Sequence, residues 1–139
     1  MIIKRVLTVA ATVLVATGVV AGTPAAANAG AYGCSGQVVR SDKLENGLEM
    51  PISVVYLYYD SRTGYNCAVN VWLPGVTDKS RISVGIRSKS SGWRKDSGNF
   101  KRYAGPVKVY GRNRCVKVTA SSAASFYQPH ATSGWIACR

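Results

Sequence analysis

Ile52–Tyr59 reads Ile-Ser-Val-Val-Tyr-Leu-Tyr-Tyr, a run that is rich in β-branched and aromatic side chains. Such residues favour extended backbone, and apolar positions on both faces are typical of a central strand that is covered on two sides. The segment that follows, Asp60–Gly64, has the composition of a turn, because aspartate favours turn starts and glycine accepts the left-handed conformation that ends a loop. The sequence therefore predicts a buried strand that ends in a turn.

Two further apolar runs give clear strand signals. Cys67–Leu73 alternates, with Asn70 on the face opposite the cysteine, and predicts a strand that forms a β-hairpin with the first. Pro74-Gly75 ends that run. Arg81–Ser88 also alternates, which predicts a strand with one buried face. The residues expected to face inward there are Ile82, Val84 and Ile86, and those expected to face outward are Ser83, Gly85 and Arg87.

The remaining elements carry weaker signals. We expect a polar loop over Ser88–Gly98, a short edge strand over Asn99–Tyr103 and an interruption at Gly105-Pro106. Three more short strands are predicted: Val107–Tyr110, Arg114–Ala120 and Trp135–Cys138. The first two are expected to pair with each other around a turn at Gly111–Asn113.

Short strands separated by glycine and proline, without helical periodicity, are typical of all-β proteins. We therefore predict a small antiparallel β-sandwich or barrel. The chain has 139 residues, which leaves room for one domain, over Gly30–Arg139, after an N-terminal targeting segment.

The first 29 residues have the layout of a secretory signal peptide. Lys4 and Arg5 precede the uncharged run Val6–Gly22, and Ala27-Asn28-Ala29 is a small-x-small cleavage site. A membrane anchor is the alternative, but the run is short for a span and contains several threonines. We expect residues 1–29 to be removed and the mature domain to be secreted, with no membrane contact afterwards.

The four cysteines are expected to form two disulfides, because the predicted compartment is oxidising. Four cysteines allow three pairings, and chain order favours Cys34–Cys67 with Cys115–Cys138, since each pair then joins elements that are close in sequence. A structural zinc site is the alternative, but such sites bring their ligands in close pairs and these cysteines are widely spaced. We expect no metal and no cofactor.

The chain is strongly basic, with 18 Lys and Arg residues against six acidic ones and a formal net charge of +12. Many of these cations lie between Lys79 and Arg102. Such a charge can attract a polyanion, for example an anionic cell-wall polymer. Alternatively it is a solvated surface that keeps the protein soluble, which the spread of the charges along the chain favours. No specific nucleic-acid partner is indicated.

Two segments resemble the small secreted spore-associated proteins of actinobacteria. Tyr59–Val69 resembles the Y-x-S-x-T-G-x-N-C-V-V stretch of that family, and Arg102–Gly111, followed by Arg114–Val116, is similar to a second stretch. The resemblance implies a location at the spore or cell-wall surface. It implies no catalytic residues, because none is established for the family.

Residues for catalysis are few. His130 is the only histidine, and no serine lies in a G-x-S-x-G motif, so a Ser-His-Asp hydrolase is not indicated. A small basic ribonuclease would need a glutamate base beside the histidine. Glu45 and Glu49 lie in a segment predicted to be irregular, while Asp60 suits a turn and Asp96 a solvated loop. We predict a non-enzymatic protein, with a small secreted hydrolase as a weaker alternative.

Ligand binding is better supported than catalysis. Trp93 is followed by Arg94 and Lys95, so a sugar ring could stack on the indole while the cations meet an anionic group. The alternative, which we favour, is that Trp93 folds back and covers the end of the β core. Tyr103 and Tyr65 could add to the same surface. The candidate ligand-binding residues are Trp93, Arg94, Lys95 and Tyr103.

We therefore predict a secreted protein that associates with the spore or cell-wall surface and binds an anionic polymer there. The alternative is a secreted inhibitor or antimicrobial protein that acts through an exposed loop over Lys89–Asn99. The oligomeric state is left open.

Overall fold

The computed structural model describes residues 30–76, 79–123 and 129–138. The predicted signal peptide, residues 1–29, lies outside the described residues and stays a prediction. Among the described residues, no helix has the length and apolar character that are needed to cross a membrane.

The domain is a sandwich of two four-stranded antiparallel sheets, which confirms the predicted fold class. The first sheet has the strand order β1-β2-β3-β6, and the second has the order β5-β4-β7-β8. In chain order the strands are β1 (Gln37–Glu45), β2 (Pro51–Asp60), β3 (Tyr65–Trp72), β4 (Ser80–Ser88), β5 (Arg94–Phe100), β6 (Tyr103–Tyr110), β7 (Val116–Ser122) and β8 (His130–Thr132).

The predicted hairpin is confirmed as β2 and β3, which pair continuously from Ser53 opposite Trp72 to Asp60 opposite Tyr65. Gly64 ends the connecting turn with φ at +76°, a conformation that favours glycine. Arg62 donates hydrogen bonds to Asp60 and lowers the pKa of its carboxyl. The turn is therefore fixed by both backbone and side chain.

The main hydrophobic core lies between the two sheets. Alternate residues of β4 point into it. Ile82, Val84 and Ile86 are at most 1% exposed, as predicted. They pack against residues of the first sheet such as Leu57 and Trp72. Because hydrophobic burial is the dominant favourable term in folding, this interior holds the sheets face to face.

A second apolar cluster lies on the outer face of the first sheet. Cys67, Val69 and Val71 of β3 are covered there by the N-terminal segment, in which Cys34 is 1% exposed. The Cys34–Cys67 disulfide joins that segment to β3. β3 is therefore buried on both faces, which its alternation alone does not reveal.

The second predicted disulfide, Cys115–Cys138, is also present and ties the C-terminal tail to the start of β7. Ile136 adds an antiparallel bridge to Val116, with two backbone hydrogen bonds of 2.8 Å. The prediction of a strand over Trp135–Cys138 was wrong, because this segment makes only that bridge. The last strand is β8.

The edge strands with mostly exposed side chains, β1, β5 and β8, were not predicted from the sequence. Arg94–Phe100 is strand β5, not part of a polar loop over Ser88–Gly98, and it ends where the edge strand over Asn99–Tyr103 was expected to run. Strand β1 was not predicted, and Glu45 lies at its end rather than in an irregular segment. Edge strands bury little, so their sequences lack the apolar alternation that marks β4.

Two predictions about β6 were also wrong. Gly105-Pro106 lies within the strand, at a bulge between the pairs Ala68–Val107 and Asn70–Ala104, where a residue without an N–H is tolerated. Furthermore, β6 pairs with β3 and β7 pairs with β4, so the connection around Gly111 crosses between sheets and is not a hairpin. Periodicity predicts a strand but does not reveal its partner.

A buried polar network joins the two sheets through Asn70. Its Nδ2 donates to the backbone oxygens of Ser83 and Ser121 at 3.0 and 3.2 Å, and to Ser122 Oγ at 3.0 Å. Ser122 Oγ in turn lies 2.7 Å from Ser53 Oγ. Asn70 lies on the face opposite Val69, as predicted, and that face is the interior of the sandwich.

Exchange of Asn70 for alanine should destabilise the domain by about 2–3 kcal/mol, because the buried acceptors lose their donor. The melting temperature, measured by circular dichroism, should fall by roughly 10 °C or more. Asn99→Ala on exposed β5 is the matched control and should leave it nearly unchanged. Equal melting of the two variants would contradict a structural role for the network.

Candidate functional site

The outer face of the second sheet carries a cluster of cations and aromatic rings, which we call the outer cationic face. The alternation that buries Ile86 turns Arg87 outward, onto the side of the sheet away from the core. The same side of the neighbouring strands and of the C-terminal tail supplies the other members. The outer cationic face consists of Arg87, Lys89, Trp93, Lys95, Lys117 and Trp135.

Arg87 lies at the centre of the outer cationic face, between the two tryptophans. Its guanidinium carbon is 5.8 Å from the ring centroid of Trp93 and 5.8 Å from that of Trp135. Lys95 Nζ lies 5.4 Å from the Trp93 centroid. Lys89 Nζ and Lys117 Nζ lie 5.6 and 5.1 Å from the Trp135 centroid. These distances are within the range of cation–π attraction.

Gly85 makes room for this arrangement. A Cβ at this position would come within 2.9 Å of Thr119 Cγ2 and 3.0 Å of Lys95 Cγ, and 3.4 Å from a carbon of the Trp93 ring. The half-buried Trp93 ring therefore lies against the outer surface of the sheet. The interpretation that Trp93 covers the end of the core was wrong.

The cations of the outer cationic face have no acidic partner among the described residues. The ion pairs of that part of the chain, Arg40–Asp42 and Arg62–Asp60, both belong to the first sheet and its turn. Asp96, which follows Lys95, points to the other side of β5, and its Oδ2 accepts a hydrogen bond of 2.7 Å from Gly105 N. Asp96 is therefore a contact between the sheets and not the solvated loop charge that was predicted.

The guanidinium of Arg87 also has unused hydrogen-bonding capacity. Its Nε is buried and has no hydrogen-bond partner among the described residues. The two indole rings hold Arg87 in place without neutralising it, because a ring quadrupole carries no net charge. The positive charge at the centre of the outer cationic face is therefore uncompensated within the described structure.

Hydroxyl groups continue the same side of the sheet beyond the cations. Ser83 Oγ and Ser121 Oγ lie 2.6 Å apart, and Thr119 Oγ1 and Thr132 Oγ1 lie 3.0 Å apart. His130 is opposite Ser121 in register and exposed. This surface offers donors and acceptors next to positive charge, which suits a hydroxylated, anionic ligand.

The residues considered for acid–base catalysis, His130, Glu45 and Glu49, do not lie together in the structure. His130 is on β8, and its imidazole forms no hydrogen bond with another described residue. Glu45 ends β1 in the other sheet, and Glu49 lies in the turn after it, with φ at +59°. No group of three or more possible metal ligands occurs among residues 30–76, 79–123 and 129–138.

The structure brings together two of the four predicted ligand-binding residues. Trp93 and Lys95 share the outer cationic face, whereas Arg94 is opposite the inward-facing Ile86 and so points to the other side of β5. Tyr103 lies in the first sheet, 5.2 Å from the Tyr32 ring. Ligand binding by these residues stays a prediction.

Sequence reasoning missed four members of the outer cationic face, namely Arg87, Lys89, Lys117 and Trp135. Arg87 was predicted to point outward, and that was the available signal, but its contact with Trp93 follows from the unpredicted pairing of β4 with β5. Lys117 and Trp135 join the cluster because β7 pairs with β4 and the tail folds back onto β7. The β4–β5 hairpin and the long-range pairing of β7 and the tail assemble this surface, and the local pattern of the sequence reveals neither.

Comparison with known proteins supports the resemblance found in the sequence. Over 71 residues the chain is 37% identical to spore-associated protein A of Streptomyces coelicolor. The chain is similar to a spore-associated protein. The matched part is 49% of this chain and 46% of the relative, so the chain spans about half the length of that protein. No protein-family model matches the chain, and no solved structure matches it.

Proposed function

We propose that this protein is a non-enzymatic component of the spore or cell-wall surface, and that its outer cationic face binds an anionic polymer there. The similarity to a spore-associated protein supports the location. The observation that carries the polymer proposal is the set of four cations around two tryptophans, without an acidic partner among the described residues.

The chemistry of such a surface suits a wall polymer that carries phosphate or carboxylate groups on a sugar backbone. Uncompensated cations on one side of a sheet raise the local concentration of an anionic partner. Trp135, which is 38% exposed, offers an apolar ring surface on which a sugar can stack. The neighbouring hydroxyls of Ser83 and Thr119 can pair with sugar hydroxyls.

The alternative function is less well supported by this geometry. An inhibitor or antimicrobial protein was predicted to act through an exposed loop over Lys89–Asn99. Residues 94–99 of that segment belong to strand β5, paired with β4, so only the turn at residues 89–93 is left of the predicted loop. Assays of protease inhibition and of growth inhibition would test that alternative directly.

Isolated cell walls should retain the protein at low ionic strength and release it as salt is raised. The Debye length falls from about 10 Å at 0.1 M to about 3 Å at 1 M, so attraction between exposed charges is largely screened over this range. A sedimentation assay would measure the bound fraction at each salt concentration. Walls from which the anionic polymer has been extracted are the control and should bind weakly throughout. Retention that neither salt nor extraction reduces would overturn the proposal.

A further inference from the structure

A second concave surface lies on the opposite side of the sandwich, on the outer face of the first sheet. It is a groove of about 370 Å³ between the N-terminal segment and the bend before β6. This volume is within the range of about 300–1,000 Å³ that is usual for small-molecule sites. We call it the tyrosine groove, and the residues that matter here are Tyr32, Val54, Tyr56, Val71, Lys101 and Arg102.

Half-buried aromatic rings form one wall of the tyrosine groove. The rings of Tyr32 and Tyr56 are nearly parallel, with centroids 6.4 Å apart and an angle of 16°. Tyr103 packs edge-on against Tyr32 at 5.2 Å, and Tyr58 lies 6.4 Å from Tyr56. Val54 and Val71 are buried and form an apolar floor. The groove therefore presents flat rings and phenolic hydroxyls above an apolar base.

Tyr32 is held in place by its backbone. Its φ of 62° and ψ of 25° lie in the left-handed region, which a bulky residue rarely adopts. The Cys34–Cys67 disulfide and the hydrogen bond from Cys34 N to Ala31 O fix the segment on either side. Such uncommon backbone conformations are often found at ligand sites, where the surrounding structure maintains them. A ring fixed in this way binds with little loss of conformational entropy.

Positive charge marks one end of the tyrosine groove. Lys101 and Arg102 line it and are both exposed. Trp72 N donates a hydrogen bond of 2.9 Å to Arg102 O, which fixes the backbone of this bend. Among the described residues that line the groove, none is acidic. The groove therefore favours a ligand that combines ring surfaces with a negative charge.

We propose that the tyrosine groove is a carbohydrate-binding site that takes one or two sugar rings of an acidic glycan. The C–H face of a sugar stacks on Tyr32 and Tyr56, and its acidic group meets Lys101 or Arg102. Aromatic grooves also bind proline-rich peptides, but the charged end and the phenolic hydroxyls favour an anionic, hydroxylated ligand. This site is separate from the outer cationic face and does not depend on its function.

Calorimetric titration with a hexamer of galacturonic acid tests the proposal. A hexamer of N-acetylglucosamine serves as the neutral glycan, and a proline decamer represents the peptide ligand. Because the acidic hexamer can also meet the outer cationic face, the titrations are repeated in a chain with Arg87→Gln and Lys117→Gln. The affinity of the outer cationic face is lowered in that chain, so the effect of Tyr32→Ala on the remaining binding reports on the tyrosine groove, and the two proposals fail separately.

In that chain, Tyr32→Ala should weaken binding of the acidic hexamer at least tenfold. Tyr110→Ala, at an exposed position of the same sheet, is the matched control and should have no effect. Lys101→Gln with Arg102→Gln changes exposed side chains only, and should reduce the preference for the acidic over the neutral hexamer at least fivefold. No binding in the Arg87→Gln, Lys117→Gln chain, an equal loss in Tyr110→Ala, or a preference for the proline decamer would overturn the proposal.

Discussion

Exchange of Arg87 and Lys117 for glutamine is expected to lower the affinity of this protein for isolated cell walls by about 30-fold. A basic residue near an anionic surface contributes about 1 kcal/mol, and about 1.4 kcal/mol corresponds to a tenfold change in affinity. Arg87 lies between the two tryptophans and Lys117 lies 5.1 Å from the Trp135 centroid, so both charges are at the centre of the outer cationic face. A binding isotherm at low salt measures the change.

The control for this prediction removes the same charge elsewhere. Lys108 and Arg114 are exposed and lie outside the outer cationic face, and their joint exchange for glutamine should lower the affinity less than threefold. If both pairs of substitutions weaken binding equally, the protein is attracted through its overall charge and not through this surface. The dependence on salt should also become shallower in the Arg87→Gln, Lys117→Gln variant, because fewer ion contacts remain to be screened.

Removal of the Cys34–Cys67 disulfide is expected to destabilise the domain by about 3–4 kcal/mol, according to the chain-entropy model for a loop of this size. The bond spans 33 residues, and a domain of this size is stabilised by only about 5–15 kcal/mol in total. A Cys34→Ala, Cys67→Ala variant should therefore melt roughly 15 °C lower. The N-terminal segment would also be free to leave the second apolar cluster, which exposes Val69 and Tyr58 to water.

Urea denaturation measures how much the disulfide contributes to the free energy of unfolding, and how much the aromatic packing of the N-terminal segment contributes. Tyr32→Ala keeps the cross-link but removes a ring that packs on the cluster, and it should cost about 1–2 kcal/mol as a matched comparison. A melting temperature of the Cys34→Ala, Cys67→Ala variant within a few degrees of the original would contradict the stabilising role of the bond.

The strands with the strongest local signals could be predicted from the sequence, and the exposed ones could not. β2, β3 and β4 bury one or both faces, so their apolar patterns mark them clearly. β1 and β5 lie at sheet edges with mostly exposed side chains, and their polar sequences resemble loops. Both disulfide pairs could be predicted because each joins elements that are close in chain order.

The candidate site could be predicted only in part, for a related reason. Lys95 is the second residue of β5 and Trp93 directly precedes that strand, so at a spacing of two residues they share a face by local geometry. Lys117 and Trp135 reach the same surface through pairings between distant segments, which no pattern in a single sequence specifies, whereas Arg87 meets Trp93 through the hairpin of β4 with the unpredicted strand β5. Arg94 was wrongly grouped with Trp93 and Lys95. It lies between them in the sequence, and successive residues of a strand point to opposite sides, so Arg94 faces the other side of β5.

The outer cationic face is complete only when the C-terminal tail, which carries Trp135, is held against the sheet. This ring lies three residues before Cys138, whose bond to Cys115 and the Ile136 bridge hold the tail against β7. A newly made chain with reduced thiols lacks that covalent anchor, so Arg87 and Lys117 lose one aromatic neighbour for as long as the tail is loose. Formation of the Cys115–Cys138 disulfide would then act as a maturation step. A molecule whose thiols are still reduced would lack Trp135 at this surface and would bind its ligand with lower affinity.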